Sequence, residues 1–308
     1  MTPRRMAPAA VAALGVLALA VAVAAFAAQH GKNSATIAAT HPPCAPPTMG
    51  NHQIVIEDGR PAVLIHVPRM SPPGGARRPL VLVLPGANMT GADMATYTGY
   101  SRLADLKGFL VAYPTASGAR PFWNVSTTQA DKPDDVAYLR HVIEVLTGDT
   151  GCADPARVGV TGVSNGGGMS ALLACRAADL LAAAAPVAGG YATLPACEPA
   201  RPLAVLEIHG LRDEVVPYAG SKASHAGAVG PYIDEWRARD NCPGAPRVSA
   251  PVPDVKEQRW TCAGGRVVAH ARVIDAEHGW PGANSLMPFS STLRTWRFLS
   301  AFRNETRG

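Results

Sequence analysis

The sequence predicts an α/β fold, a doubly wound and mostly parallel sheet with helices on both faces, and three observations carry that expectation. Short apolar runs alternate with helix-period segments from about Gln53 onward, which implies parallel strands joined by covering helices. With 308 residues and 47% hydrophobic content the chain can bury one sizeable core, which excludes disorder and a mini-protein. No internal repeat occurs, and the two proline-rich stretches, Ser71 to Pro79 and Pro243 to Pro253, read as surface loops and not as domain boundaries. The strands expected are Ala62 to Val67, Leu80 to Leu84, Phe109 to Tyr113, Val158 to Thr161, Ala182 to Val187, Leu203 to Ile208 and Val267 to Ile274. The helices expected are Ala92 to Lys107, Asp134 to Leu146, Gly167 to Arg176, Pro231 to Arg239 and Leu286 to Phe302. Period decides most of these: Val136, Leu139, Val142, Ile143 and Leu146 recur at helical spacing, with Asp134 and Asp135 in the first turn, where carboxylates suit the positive end of the macrodipole. Those two aspartates therefore read as a helix start and not as chemistry.

Residues 1–28 stand apart from the fold. Arg4 and Arg5 precede a run of almost only Ala, Val, Leu and Gly that ends in Ala25-Phe26-Ala27, the pattern of an export signal with an A-x-A cleavage site. The run is near the lower length limit for a bilayer span, so an uncleaved signal anchor is the competing reading. Residues 29–50, rich in Ala, Thr and Pro, read as a flexible linker, and 51–308 as a single catalytic domain. The chain is expected to be secreted or held in the cell envelope, touching membrane only if the leader is uncleaved.

Removing Arg4 and Arg5 with the leader takes the formal charge from +5 to +3, and the remaining basic residues are scattered and not striped with aromatics. Nucleic acid is therefore not an expected partner. All six cysteines lie beyond the leader, an even count that points to disulfides in an exported chain. Spacing favours Cys175 with Cys197 and Cys242 with Cys262, leaving Cys44 with Cys152. No C-x-x-C pair is present, which argues against a zinc site.

Most chemistry is concentrated at Val158 to Ser170. A strand runs into Gly162-Val163-Ser164-Asn165-Gly166 and then into a helix, so the G-x-S-x-G motif stands in the strand–turn–helix context that gives it meaning. A bare motif is weak in an Ala/Gly-rich chain; the context makes Ser164 the candidate nucleophile. A serine hydroxyl needs a base to take its proton and a carboxylate to orient that base. With this type of elbow the chain order is serine, acid, histidine, which restricts the search to residues after Ser164. Asp213 lies just past the run Leu203 to Ile208 and His209-Gly210, and His278 follows Val267 to Ile274 in the same way, both at the carboxyl ends of strands where such sheets place ligands. His209 reads as a packed strand-end residue, His270 falls within a strand and His225 within a Gly/Ala-rich loop. Glu214 and Asp275 are alternatives to Asp213, but Asp275 is too close to His278 in sequence to approach it from another strand. The oxyanion donors expected are the backbone N–H groups of Asn165 and of Ala87, the latter in the loop Pro85-Gly86-Ala87-Asn88. Asn88 either adds its side chain there or caps the next helix.

These segments resemble the secreted esterase family of polyhydroxybutyrate depolymerases and feruloyl esterases, one branch of the α/β-hydrolases. The resemblance rests on Gly162 to Gly167 with Asp154 to Val158 before it, Ala185 to Gly189, His209-Gly210 with Asp213 and Val215 to Tyr218, and His278 to Gly282. Trp123-Asn124 and Asp134 to Val136 also resemble family segments. It implies a carboxylic ester hydrolase with a Ser164, Asp213, His278 triad and no cofactor. Two departures stand out: Pro85-Gly86 replaces the usual His-Gly, and Glu277 replaces the glycine common before the histidine, a carboxylate that would raise the base's pKa.

Only fifteen residues separate the strands Ala182 to Val187 and Leu203 to Ile208, too few for a cap domain, so the cleft is expected to be open and free of interfacial activation. Trp123 and Trp280 are expected to wall the substrate pocket. With six residues after Phe302, short oligomers or soluble esters suit the chain better than a crystalline polymer. The rival readings are a peptidase on the same scaffold and a non-catalytic cell-envelope binding protein.

Overall fold

The computed structural model describes residues 36–37, 48–70, 76–126, 132–148, 152–192, 194–196, 198–221, 227–283 and 288–307. The expected leader and most of the expected linker, together with Cys44, Cys197 and His225, lie outside these residues.

From Gly50 the strands are β1 (Gly50–Ile54), β2 (Val63–Val67), β3 (Arg78–Leu84), β4 (Leu110–Tyr113), β5 (Ala153–Val163), β6 (Ala183–Val187), β7 (Ala204–Gly210), β8 (Arg247–Val252), β9 (Val255–Thr261) and β10 (Val267–Val273). They form one sheet in the order β1-β2-β4-β3-β5-β6-β7-β10-β9-β8. The six central strands, β4 to β10 in that order, are parallel, and antiparallel pairs close both ends. β4 adds on one side of β3 and β5 on the other, so the winding reverses at β3. The carboxyl ends of β3 and β5 therefore form the topological switch point, the place where open α/β sheets bind ligands.

The helices are α1 (Gly91–Thr98), α2 (Tyr100–Lys107), α3 (Asp135–Thr147), α4 (Asn165–Arg176), α5 (Val229–Arg239) and α6 (Ser291–Leu299). Alternate residues of β3 feed two cores. Leu80, Leu82 and Leu84 pack with Tyr138, Leu139 and Val142 of α3 and Met169 and Leu173 of α4, whereas Val81 and Val83 join Tyr100 of α2 and Trp296, Phe298 and Leu299 of α6. Two layers of helix around one sheet thus follow from a period of two in buried strands.

Three expectations are corrected. The helix predicted from Ala92 to Lys107 is two helices, because Gly99 takes φ +65° between them; Thr90 and Asp93 form a capping box at the start of the first. The stretch Pro243 to Pro253 is in part the strand β8, hydrogen-bonded to β9 at the sheet's edge with its side chains largely exposed, so no apolar alternation marks it. The last helix is shorter than expected, starting at Ser291 behind the Ser290 cap. Asp134 caps α3, accepting from the Ala137 N–H at 2.9 Å. Cys242 and Cys262 form the expected disulfide, and Cys152 and Cys175 are each disulfide-bonded. No helix among the described residues is long and apolar enough to cross a membrane.

Candidate active site

Ser164 occupies the single-residue turn between β5 and α4 with φ +57° and ψ −121°, a conformation that non-glycine residues rarely hold. The surrounding backbone over-determines it. The Ser164 N–H donates to Val187 O at 3.0 Å, and its carbonyl accepts from the Gly168 N–H at 2.9 Å, opening the helix. A Cβ on Gly166 would stand far inside van der Waals contact with the carbonyl oxygens of Leu84 and Pro85, so only glycine lets α4 approach the end of β3 this closely. The half-buried serine is thereby held at the carboxyl edge of the sheet.

The loop after β3 touches this turn. A methyl group at Gly86 would lie 3.4 Å from Val163 O and 3.5 Å from Ser164 Cβ, which sets Pro85 to Asn88 beside Ser164. The Asn88 N–H is taken by Pro121 O at 2.8 Å, and the cap of α1 is Thr90 and not Asn88. Asn165 supplies more than its backbone. Its side-chain oxygen accepts from the Trp123 N–H at 2.7 Å, its amide donates to Trp123 O at 3.1 Å, and the Trp123 indole N–H donates to Pro85 O at 3.0 Å. Trp123 therefore ties the elbow to the expected oxyanion loop. It is only 1% exposed, so its expected place as a pocket wall is corrected: its ring is core and its N–H is already used. Asp135, beyond starting α3, accepts from the Asn124 N–H at 2.7 Å and pairs with Arg60, bracing the same segment.

Asp213 and His278 come together from separate strands. His278 Nδ1 donates to Asp213 Oδ2 at 2.8 Å, and Oδ1 of the aspartate accepts from the N–H groups of Val215 and Val216 at 3.0 and 2.7 Å. The two loops are joined by Arg212 N–H to Ala276 O at 3.0 Å, and a Cβ on Gly210 would collide with that same carbonyl, so the glycine permits the contact. Burial pushes the Asp213 carboxyl up, yet hydrogen bonds from His209, His278 and the Val216 amide more than offset it and hold the group well below the usual carboxylate range. Of the alternatives, Glu214 is exposed and Asp275 forms a half-exposed pair with Arg212 at 2.7 Å. Glu277 is exposed as well. No hydrogen bond joins Ser164 Oγ to His278 among the described residues, and nucleophile–base contacts commonly tighten only with substrate bound.

Trp280 is 3% exposed, its indole N–H donating to Thr292 Oγ1 at 2.9 Å and its backbone N–H to Tyr97 OH at 2.9 Å. Its expected role as a pocket wall is corrected in the same way; it anchors the loop that carries His278. His209 is the buried strand-end residue expected, but its ring also approaches Asp213 Oδ2 at 3.3 Å and hydrogen-bonds Glu207, a residue that the sequence reading passed over. A lone charged side chain inside the apolar run of β7 was the signal available for it.

The chain is similar to known proteins to differing extents. The family profile described as Esterase PHB depolymerase matches residues 67–196, which takes in β3, the Pro85 loop and the Ser164 elbow and stops short of Asp213 and His278. Feruloyl esterase B of Piromyces equi is 36% identical over 168 residues, 51% of this chain and 31% of that protein. The putative esterase NocK of Nocardia uniformis subsp. tsuyamanensis is 31% identical over 270 residues, 78% of this chain and 76% of that protein. Among solved structures, the acetyl xylan esterase from Aspergillus awamori superposes with a TM-score of 0.59 at 16% identity, covering 74% of this chain and 94% of that one, which supports the α/β-hydrolase fold. With 31% identity across 78% of this chain and 76% of NocK, and with the family profile matching in addition, the chain belongs to the esterase family of polyhydroxybutyrate depolymerases and feruloyl esterases.

Proposed function

We propose that the protein is a secreted carboxylic ester hydrolase that works through an acyl-enzyme, with Ser164 as nucleophile, His278 as general base and acid, and Asp213 orienting the imidazole. One observation carries this reading: a serine in a strained, glycine-flanked turn shares a sheet edge with a histidine whose Nδ1 is fixed by an ionised aspartate. That hydrogen bond selects the tautomer that leaves Nε2 able to accept the serine proton. Attack of Oγ on the ester carbonyl forms a tetrahedral oxyanion, which the N–H groups of Asn165 and Ala87 would stabilise. His278 then passes the proton to the leaving alcohol, and water, activated by the same imidazole, releases the acid.

The substrates proposed are feruloyl, hydroxyalkanoate-oligomer or related soluble esters. The acyl-ester chemistry named for the feruloyl and acetyl xylan esterase relatives supports that range, as does the absence of any helix or strand among the described residues between β6 and β7 that would form a lid. Turnover is to be compared for p-nitrophenyl acetate and butyrate, methyl ferulate, hydroxybutyrate oligomers and a peptide amide. Ester hydrolysis without a rate jump at the solubility limit of a lipid ester is the expected result. Turnover of the amide alone would favour the peptidase reading.

A further inference from the structure

Glu207 lies in the middle of β7 with no solvent contact, and the chemistry above gives it no task. A carboxylate in such a place persists only if it is paired. Tyr191 OH donates to its Oε1 at 2.9 Å, and His209 Nδ1 lies 2.9 Å from the same oxygen. His270 of β10 places Nδ1 2.8 Å from Oε2, off the line of a good hydrogen bond, and its Nε2 is 3.0 Å from Tyr218 OH. Tyr218 and, in α5, Tyr232 are further titratable groups whose fields meet Glu207.

His209 faces acceptors on both sides. Beyond Glu207 at Nδ1, its Nε2 meets the Val216 carbonyl at 2.8 Å and Asp213 Oδ2 at 3.3 Å. A neutral imidazole owns one N–H and would turn a lone pair toward one of these oxygens; the imidazolium donates to both. Charge then alternates from Glu207 through His209 to Asp213, whose other side-chain partner is His278. We propose that Glu207 and His209 are positioning residues, a buried ion pair in which His209 serves Asp213 Oδ2 as a second partner and Glu207 keeps His209 protonated, so that the aspartate stays ionised and aimed at His278. Burial pushes the His209 ring toward its neutral form, but the Glu207 charge and the hydrogen bonds to Asp213, Glu207 and Val216 outweigh it and lift the ring to about 10. The sign is that of a raised histidine. The pairing is complete below the unfolded value of about 6.5 and is lost only as pH rises through the folded value, so it persists across the neutral range.

The consequence for turnover rests on the ester-hydrolase reading; the protonation state of His209 does not. Ring-¹⁵N NMR of the wild-type protein, with His209→Gln for assignment, is expected to show both His209 nitrogens protonated up to about pH 9. A neutral His209 at pH 7 would overturn the proposal, whatever the activity. In Glu207→Gln, kcat at pH 8 is expected to fall about tenfold with KM within twofold. The ratio of variant to wild-type kcat/KM should recover as pH falls toward 6 and His209 regains its proton, and Glu207→Asp should restore part of the loss. A ratio that is flat with pH contradicts the proposal, because a merely structural defect would give that. If Glu207→Gln loses its folded ellipticity, the wild-type spectrum alone decides. A protonated His209 in a chain that turns over no ester would refute the function and leave the ion pair standing.

Discussion

Ser164→Ala is expected to lower kcat for p-nitrophenyl butyrate by about 10⁶-fold, and Asp213→Asn by about 10⁴-fold, each with KM little changed. The difference reflects what each substitution removes. Alanine takes away the atom that attacks. Asparagine keeps the shape of Asp213 and the bonds from the Val215 and Val216 amides, but it presents a neutral group to His278 Nδ1 and loses control of the tautomer. Because the three groups act as a unit, the double variant Ser164→Ala/Asp213→Asn should be no slower than Ser164→Ala alone. Losses that multiply instead would mean that Asp213 serves some task independent of the serine.

Gly166→Ala is expected to lower Tm by about 5 °C or more and kcat by at least about a hundredfold. The added methyl meets the Leu84 and Pro85 carbonyl oxygens, which are backbone atoms of β3 and of the loop beside Ser164 and cannot step aside as a side chain can. Relief would require α4 to tilt away, carrying Ser164 and the Asn165 N–H with it. Gly230→Ala in α5 is the control: nothing lies within 4 Å of that position, so the same chemical change should be neutral or slightly stabilising there. Thermal unfolding and kinetics of the two variants side by side separate the effect of a Cβ from the effect of its place.

How much of this was legible follows from how local each signal is. The elbow is legible because motif, strand and helix are contiguous, and the Asp213–His278 pair because each residue lies a few positions past an apolar run. The break at Gly99 was hidden, since a glycine inside a periodic segment is tolerated as often as it ends one and only its φ of +65° distinguishes the cases. β8 was hidden because a strand exposed on both faces carries no alternation. Trp123 and Trp280 were misplaced because composition does not tell whether an indole lines a cleft or fills a core; the Trp123 N–H goes to Pro85 in the loop after β3 and the Trp280 N–H to Thr292 of α6. The network around Glu207 joins β7, β10 and the loop after β6, and pairing between residues that far apart is set by strand order, which sequence spacing does not contain.

The most direct measurement is covalent trapping with a fluorophosphonate followed by peptide mass spectrometry. The account predicts stoichiometric labelling at Ser164, slowed strongly in His278→Ala and absent in Ser164→Ala. Labelling at another residue, or an ester-hydrolysing protein whose Ser164 stays unmodified, would contradict it.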